Sequence, residues 1–481
     1  MNKAFKAIWS DVRQSFVTTS EIQPSHGKRS KASVSLSVAT VLLATSGLVS
    51  AAYVETGTLG DKASWETAEY NYNWGLGAMN ASSAYALGFY GQNTTTGVMD
   101  SGAWLGNPDL DTPRITATHV TGVYGSSGNR YPQSIYATIQ KGVVPTAAEG
   151  QPFAEGEEFD VKGDYTLGLN DAHGTQVTGV IGAERNGEYG HGVAFKANVV
   201  VGNTGATDNN NYGPFQDYNY YFKGYKALAD AVNAGNGEYR GGMVNNSYGT
   251  NTKIYSSGGH RLTPDEMSEL LAGSGNYDRA SAAYAVTFSG DYSFLGLNDV
   301  PGADQYSTNP SAFEWEYMYF KLKYGDKPSF LDGAYDAVKG TNVILSWAAG
   351  NQDRGTPYLK GLYPYFHPEA EKNWLNAVGV MQTRGDNDQY MQATYCKAGL
   401  AKWWSMSGPT AYPGIGTTYV TTDLENGRLT TTGFNGTSAS DPQISGAFTV
   451  LQSRYPSMTA IQVKDVMYTT ASHIGANGQP F

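Results

Sequence analysis

The sequence predicts an α/β fold built on a mostly parallel sheet, covered by helices on both faces and interrupted by surface insertions. Three observations predict it. Apolar runs rich in β-branched residues recur at 94–100 (TTTGVMD), 197–203 (ANVVVGN), 241–249 (GGMVNNSYG) and 341–351 (TNVILSWAAGN). They lack polar alternation, the mark of strands buried on both faces. Helix-like stretches fall between them at 173–184, 220–235 and 330–340, giving the strand–helix alternation of a parallel sheet. The third observation is bulk: 481 residues with 40% apolar and only 16% charged side chains can bury a large core.

The first element in chain order is a leader. Residues 1–51 hold six Lys or Arg against Asp11 and Glu21, whereas the rest of the chain holds 26 basic against 41 acidic residues. Lys28, Arg29 and Lys31 precede an apolar stretch from about Val34 to Leu48, and the small residues Val49-Ser50-Ala51 close it. That is the layout of a signal peptide, so the mature chain is predicted to begin near Ala52 and to leave the cytoplasm. The amphipathic extension ahead of it, residues 1–28, resembles the extended signal peptide of large Gram-negative autotransporters. The expected location is the cell surface or the medium, and the expected partners include the export machinery of both membranes. The acidic body, with a formal charge of −11 for the whole chain, argues against nucleic acid as a partner. With Cys396 alone, no intrachain disulfide can form.

The strands then supply the chemistry. Asp100 ends the first run and turns at once through Ser101 and Gly102; Asn351 ends the last run after Gly350. Open α/β sheets bind ligands at the carboxyl ends of their strands. His173 stands before a Gly-Thr pair that opens a helical stretch, and Ser438 follows Gly436-Thr437 at the mouth of another. An isolated His or pre-helical Ser is usually structural, a cap in the second case. The chain order Asp, His, Ser is that of one known arrangement of the serine-protease triad. Its chemistry requires all three, because a serine hydroxyl attacks only when an imidazole takes its proton, and a carboxylate must orient that imidazole.

At these residues the chain resembles the subtilases, the subtilisin-like serine proteases. The motifs are GVMDSG, HGTQVTG, GTSASDPQISG and SWAAGN, and the likeness runs from about Trp74 to about Ala471. WGLGAMNASSAYA, CKAGLAKWWSMSGP and the leader make it most similar to the autotransporter branch. The resemblance implies a subtilisin-like three-layer fold and a serine-type endopeptidase acting on protein or peptide substrates. Asp100, His173 and Ser438 would form the triad, and Asn351 would donate to the oxyanion beside the Ser438 amide. Ser247, Tyr248, Gly249 and Gly350 would border an extended peptide lying as an added strand. The expected organisation is a leader over 1–51, a short segment over 52–73, and a catalytic domain over 74–481 with an insertion at about 250–328. The chain is read as a fragment whose translocator barrel lies beyond it. Calcium is common in the family, but no ligand spacing supports a site, so no metal or cofactor is predicted.

Departures from the family pattern keep a second class open. Gln176 replaces a second His. Ser405 stands where a Cys partner for Cys396 is usual, so Cys396 is expected to be a buried thiol. Asp441 stands where an Ala is expected, three residues after Ser438. In the first turn of a helix beginning at Ser438, its charge would suit the helix N-terminus and oppose an oxyanion, slowing the enzyme. Asp441 and the Tyr-rich insertions favour the alternative of a weak or inactive passenger that keeps the fold for binding or adhesion.

Overall fold

A computed structural model describes residues 57–126, 152–164, 172–204, 217–248, 328–351, 356–383, 386–410 and 433–471, with strand fragments at 5–10, 15–20, 128–129, 421–422 and 429–430. The contacts divide the chain into two units, 1–52 and 53–481. In the first, Phe5–Ser10 pairs antiparallel with Ser15–Ser20. Everything below concerns the second unit.

Numbering only the strands of the main sheet, these are β1 (Thr95–Asp100), β2 (Ile115–Ala117), β3 (Asn198–Asn203), β4 (Gly242–Asn246), β5 (Val343–Ala348), β6 (Trp374–Thr383), β7 (Asp386–Gln392) and β8 (Ser405–Pro409). Their order is β7-β6-β5-β4-β1-β3-β2, with β8 also paired to β6. Every pairing is parallel except β6 with β7. The longer helices are α1 (His173–Gly182), α2 (Tyr218–Asn236), α3 (Phe330–Val338), α4 (Leu359–Phe366), α5 (Thr437–Arg454) and α6 (Ala460–Thr470). Caps fix several starts: Asp217 accepts from the Tyr220 amide, and Ser329 with Asp332 closes a capping box on α3.

Successive strand residues point to opposite faces, and both faces are covered. Met99, Val244 and Leu345 pack with Tyr221, Leu228 and Phe330 from α2 and α3. Their neighbours Val98, Met243 and Ile344 face the other way. Val98 packs against Val177 and Ile181 of α1, while Met243 and Ile344 pack against Ile444, Phe448 and Val463 of α5 and α6. This double burial is why the strands read as unbroken apolar runs. Trp65 and Tyr70, which precede Trp74, lie in one cluster with Tyr85 and Phe195. The segment before Trp74 is therefore packed into the body of the domain.

The chain leaves β1 toward β3 on one side and later enters β4 on the other. β1 and β4 thus flank a topological switch point, and their carboxyl ends open into a crevice where such sheets bind ligands. The predicted insertion at about 250–328 lies, apart from Pro328, outside the described residues.

Candidate active site

Asp100 is the last residue of β1 and is fully buried. Its Oδ1 accepts from the Ser101 amide at 2.8 Å and lies 2.8 Å from Nδ1 of His173. His173 is the first residue of α1, and its buried ring meets Phe434 edge-on at 5.3 Å. What lets a helix start so close to the end of β1 is Gly174. A Cβ there would stand 2.2 Å from the Gly102 carbonyl oxygen, and the Gly174 amide donates to Ser101 Oγ at 2.9 Å. An imidazole whose Nδ1 faces a buried carboxylate is held in one orientation, with Nε2 directed away as a base.

Ser438 is the second residue of α5 and is buried. Its hydroxyl donates to the Ser247 carbonyl at 2.8 Å. Asn351, exposed just after β5, turns its Oδ1 toward the same helix start, accepting from the Thr437 amide at 2.8 Å and the Thr437 hydroxyl at 3.0 Å. Thr437 Oγ1 in turn accepts from the Gly350 amide at 2.9 Å. With Oδ1 committed, Nδ2 is the donor left to Asn351 beside the N-terminus of α5. Gly436 makes this approach feasible: its φ is +81°, and a Cβ would meet the Asn351 amide at 2.7 Å.

The remaining sequence-predicted residues divide. Ser247 is buried and presents its carbonyl to Ser438. The Tyr248 side chain points into the core, edge-on to Trp347 at 5.5 Å, with its hydroxyl 2.6 Å from that of Tyr225 and the Lys360 ammonium 4.3 Å from its ring centre. Only its backbone can border a cleft. Gly350 donates to Thr437, accepts from the Cys396 amide at 3.0 Å and packs its backbone against the Tyr358 ring. Gly249 lies outside the described residues. Cys396 is a buried thiol beside Ala349, Tyr358 and Val378.

Asp441 differs from expectation. α5 begins at Thr437, so Asp441 is its fifth residue, beyond the first turn, and Pro442 is an interior position with no N–H to return to the Ser438 carbonyl. The side chain leaves the helix ends alone and enters the sheet. Oδ1 accepts from Ser346 Oγ of β5, and Oδ2 from the Asn246 amide of β4 at 3.2 Å. Burial pushes its pKa up to about 7, partly offset by the Ser346, Asn246 and Ser247 bonds and reinforced by the Asp100 charge. Near neutrality it is therefore only partly ionised, which weakens the expected opposition to an oxyanion.

Sequence reasoning did not foresee the side-chain hydrogen bonds of Thr437, Ser101 and Ser346. All three sit inside the motifs, Ser346 as the first residue of SWAAGN; the first two were legible as cap or turn residues only, and the role of Ser346 depends on Asp441, which is remote in sequence. Among the described residues, no group of three or more His, Cys, Asp or Glu is placed to hold a metal ion. The buried acids Glu69 and Asp109 illustrate why: Glu69 accepts from the Asn186 and Gly187 amides, and Asp109 from the Asn186 side chain at 2.7 Å.

Residues 91–481 match the family model described as the subtilase family. The chain belongs to the subtilase family. Residues 1–50 match the extended signal peptide of the type V secretion system, so the chain carries an export leader and is destined for the cell surface or the medium. It is similar to an extracellular serine protease of Serratia marcescens, 25% identical over 447 residues, covering 89% of this chain and 34% of that protein. It is also similar to the autotransporter lipoprotein NalP of Neisseria meningitidis, 22% identical over 152 residues, covering 29% of this chain and 13% of that protein. This subtilase thus spans about a third of the length of the Serratia relative. Among solved structures it matches sphericase with 15% identity and a TM-score of 0.40, over 81% of this chain and 86% of that one.

Proposed function

We propose that this chain is the protease portion of an exported serine endopeptidase, with Asp100, His173 and Ser438 as its catalytic residues. The observation that supports it most is the chain of contacts: Asp100 meets His173 at 2.8 Å, the His173 ring packs against Phe434, four residues before Ser438, and Asn351 accepts from the Thr437 amide beside Ser438. The Ser438 hydroxyl, resting on the Ser247 carbonyl, rotates to give its proton to His173 Nε2 as Oγ bonds to the scissile carbonyl carbon. Negative charge gathers on the carbonyl oxygen, where Asn351 Nδ2 and the Ser438 amide at the positive end of α5 receive it. Collapse breaks the C–N bond, His173 returns the proton to the departing amine, and an acyl-enzyme remains on Oγ. Water, deprotonated by His173, then attacks the ester and restores the serine.

The substrates would be extended peptides, lying along the chain that follows β4 as an added strand. The type V export signal and the similarity to an autotransporter favour a longer polypeptide carrying a translocator barrel. In a test on the exported protein, Ser438→Ala lowers peptide hydrolysis by about 10⁶-fold, leaves secretion and melting temperature in place, and abolishes labelling by a fluorophosphonate. Hydrolysis surviving at the wild-type rate in that variant would refute the mechanism. A wild-type protein that neither cleaves peptides nor takes the label would point instead to a binding passenger.

A further inference from the structure

We infer that Asp441 is a positioning residue for the nucleophile, clamping the end of β4 to β5 beneath the helix that carries Ser438. The inference rests on the endopeptidase reading above. It starts from where β4 runs out of partners. β4 pairs with β1 only through Val244 and Asn245, opposite Gly97 and Val98, so the strand loses its neighbour on that side just before Asn246. The Asn246 amide goes instead to Asp441 Oδ2 at 3.2 Å. Oδ1 of the same carboxyl takes the Ser346 hydroxyl from β5, and the Ser247 hydroxyl adds a further bond to the carboxyl. Ser346 lies opposite Asn245 in the β4–β5 register, so the two anchors sit side by side on adjoining strands.

The next step returns to the nucleophile. Ser247 directly follows Asn246, and its carbonyl receives the Ser438 hydroxyl at 2.8 Å. Ser438 lies three residues before Asp441 on α5, where side chains at that spacing are neighbours. A closed ring results, running from Ser438 to Ser247, Asn246 and Asp441 and back along one turn of helix. From the opposite side Tyr225 holds the same strand end, donating to Asn246 Oδ1 at 2.5 Å and meeting the Tyr248 hydroxyl at 2.6 Å. The strand end that lines the crevice is therefore gripped on both faces, and Asp441 is the grip on the nucleophile's side. An apolar residue at 441 would leave the buried Ser346 hydroxyl and Asn246 amide to find new partners. A carboxyl raised toward neutrality by burial can sit there without a full buried charge.

The test compares Asp441→Ala, Asp441→Asn and Ser346→Ala in the exported protein, using a fluorogenic peptide and fluorophosphonate labelling. Asp441→Ala lowers kcat and the labelling rate about tenfold with KM within about twofold, because only the geometry of attack is lost. Asp441→Asn, which can keep one bond to each strand, restores most of kcat. Ser346→Ala loses a smaller factor and adds little on top of Asp441→Ala, as members of one clamp should. Hydrogen exchange at residues 246–248 quickens in Asp441→Ala, whether or not the wild-type protein cleaves peptides. Failure of wild-type labelling thus refutes the endopeptidase reading alone. Wild-type kcat in Asp441→Ala, a loss confined to KM, Asn no better than Ala, or unchanged exchange at 246–248 overturns the clamp. Should Asp441→Ala fail to fold, the Asn and Ser346→Ala variants decide by the same criteria.

Discussion

Acid should strengthen this fold through Asp441, and the size of the effect can be worked out from its surroundings. Burial raises the folded-state pKa to about 7, against 3.8 for an ordinary carboxyl. The folded chain thus holds the proton more tightly than the unfolded chain does. For such a group, stability is greatest at pH values below the unfolded value and is lost as pH climbs through the folded one. At about 1.36 kcal/mol per pH unit, the span from 3.8 to about 7 amounts to roughly 4 kcal/mol. That is a large part of the stability of an ordinary domain. The measurement is urea unfolding of Ser438→Ala, chosen to prevent self-cleavage, with and without Asp441→Asn, at intervals from about pH 4 to about pH 8. Asn carries no charge over that range, so titration of every other group cancels in the difference. The difference should move toward the Asn variant steadily between about pH 4 and 7 and level off by about pH 8. A difference that does not change with pH would show that Asp441 is ionised in the folded protein throughout, and the burial argument would fail.

Three further outcomes follow from the other end of the site and from the leader. Asn351→Ala should reduce kcat by about 10²- to 10³-fold with little change in KM, the signature of a lost oxyanion donor. Thr437→Val, which removes the hydroxyl bridging the Gly350 amide and the Asn351 carbonyl oxygen, should show a smaller loss of the same kind and a destabilisation of about 1–3 kcal/mol from the orphaned Gly350 amide. A KM effect in either variant would place these residues in the binding pocket only. N-terminal sequencing of the exported protein should begin within a few residues of Ala52, and an intact Met1 would contradict the leader assignment.

The sheet and its helices were legible because burial on both faces removes polar alternation, leaving apolar runs that no surface element would carry. The strand over 94–100 was placed to within one residue of β1, and α1, α2 and α3 to within two. The places of Asp100, His173 and Ser438 in the fold were legible because each stands at a strand end or helix start marked by glycine. The direction of the Tyr248 side chain was not legible for the opposite reason: it depends on Trp347, Tyr225 and Lys360, which are remote in sequence. Asp441 was misjudged by one residue of helix start. Placed in a first turn, a carboxylate serves the helix dipole; placed one step further in, it meets the carboxyl ends of β4 and β5 instead.

The same dependence on one residue runs through the geometry of the site. α1 meets the turn after β1 because residue 174 has no side chain to strike the Gly102 carbonyl, and α5 meets Asn351 because residue 436 has none to strike its amide. Each close approach brings a side chain on one element to a group on another: His173 to Asp100, and Asn351 to the start of α5. Neither contact could be reached across a spacing widened by a methyl group without moving a whole helix, and a helix packed on one face of this sheet moves only at the expense of the core beneath it. The glycines in these motifs are therefore as much part of the site as the polar residues they accompany. They decide where the helices start, and the helix starts decide which polar groups meet.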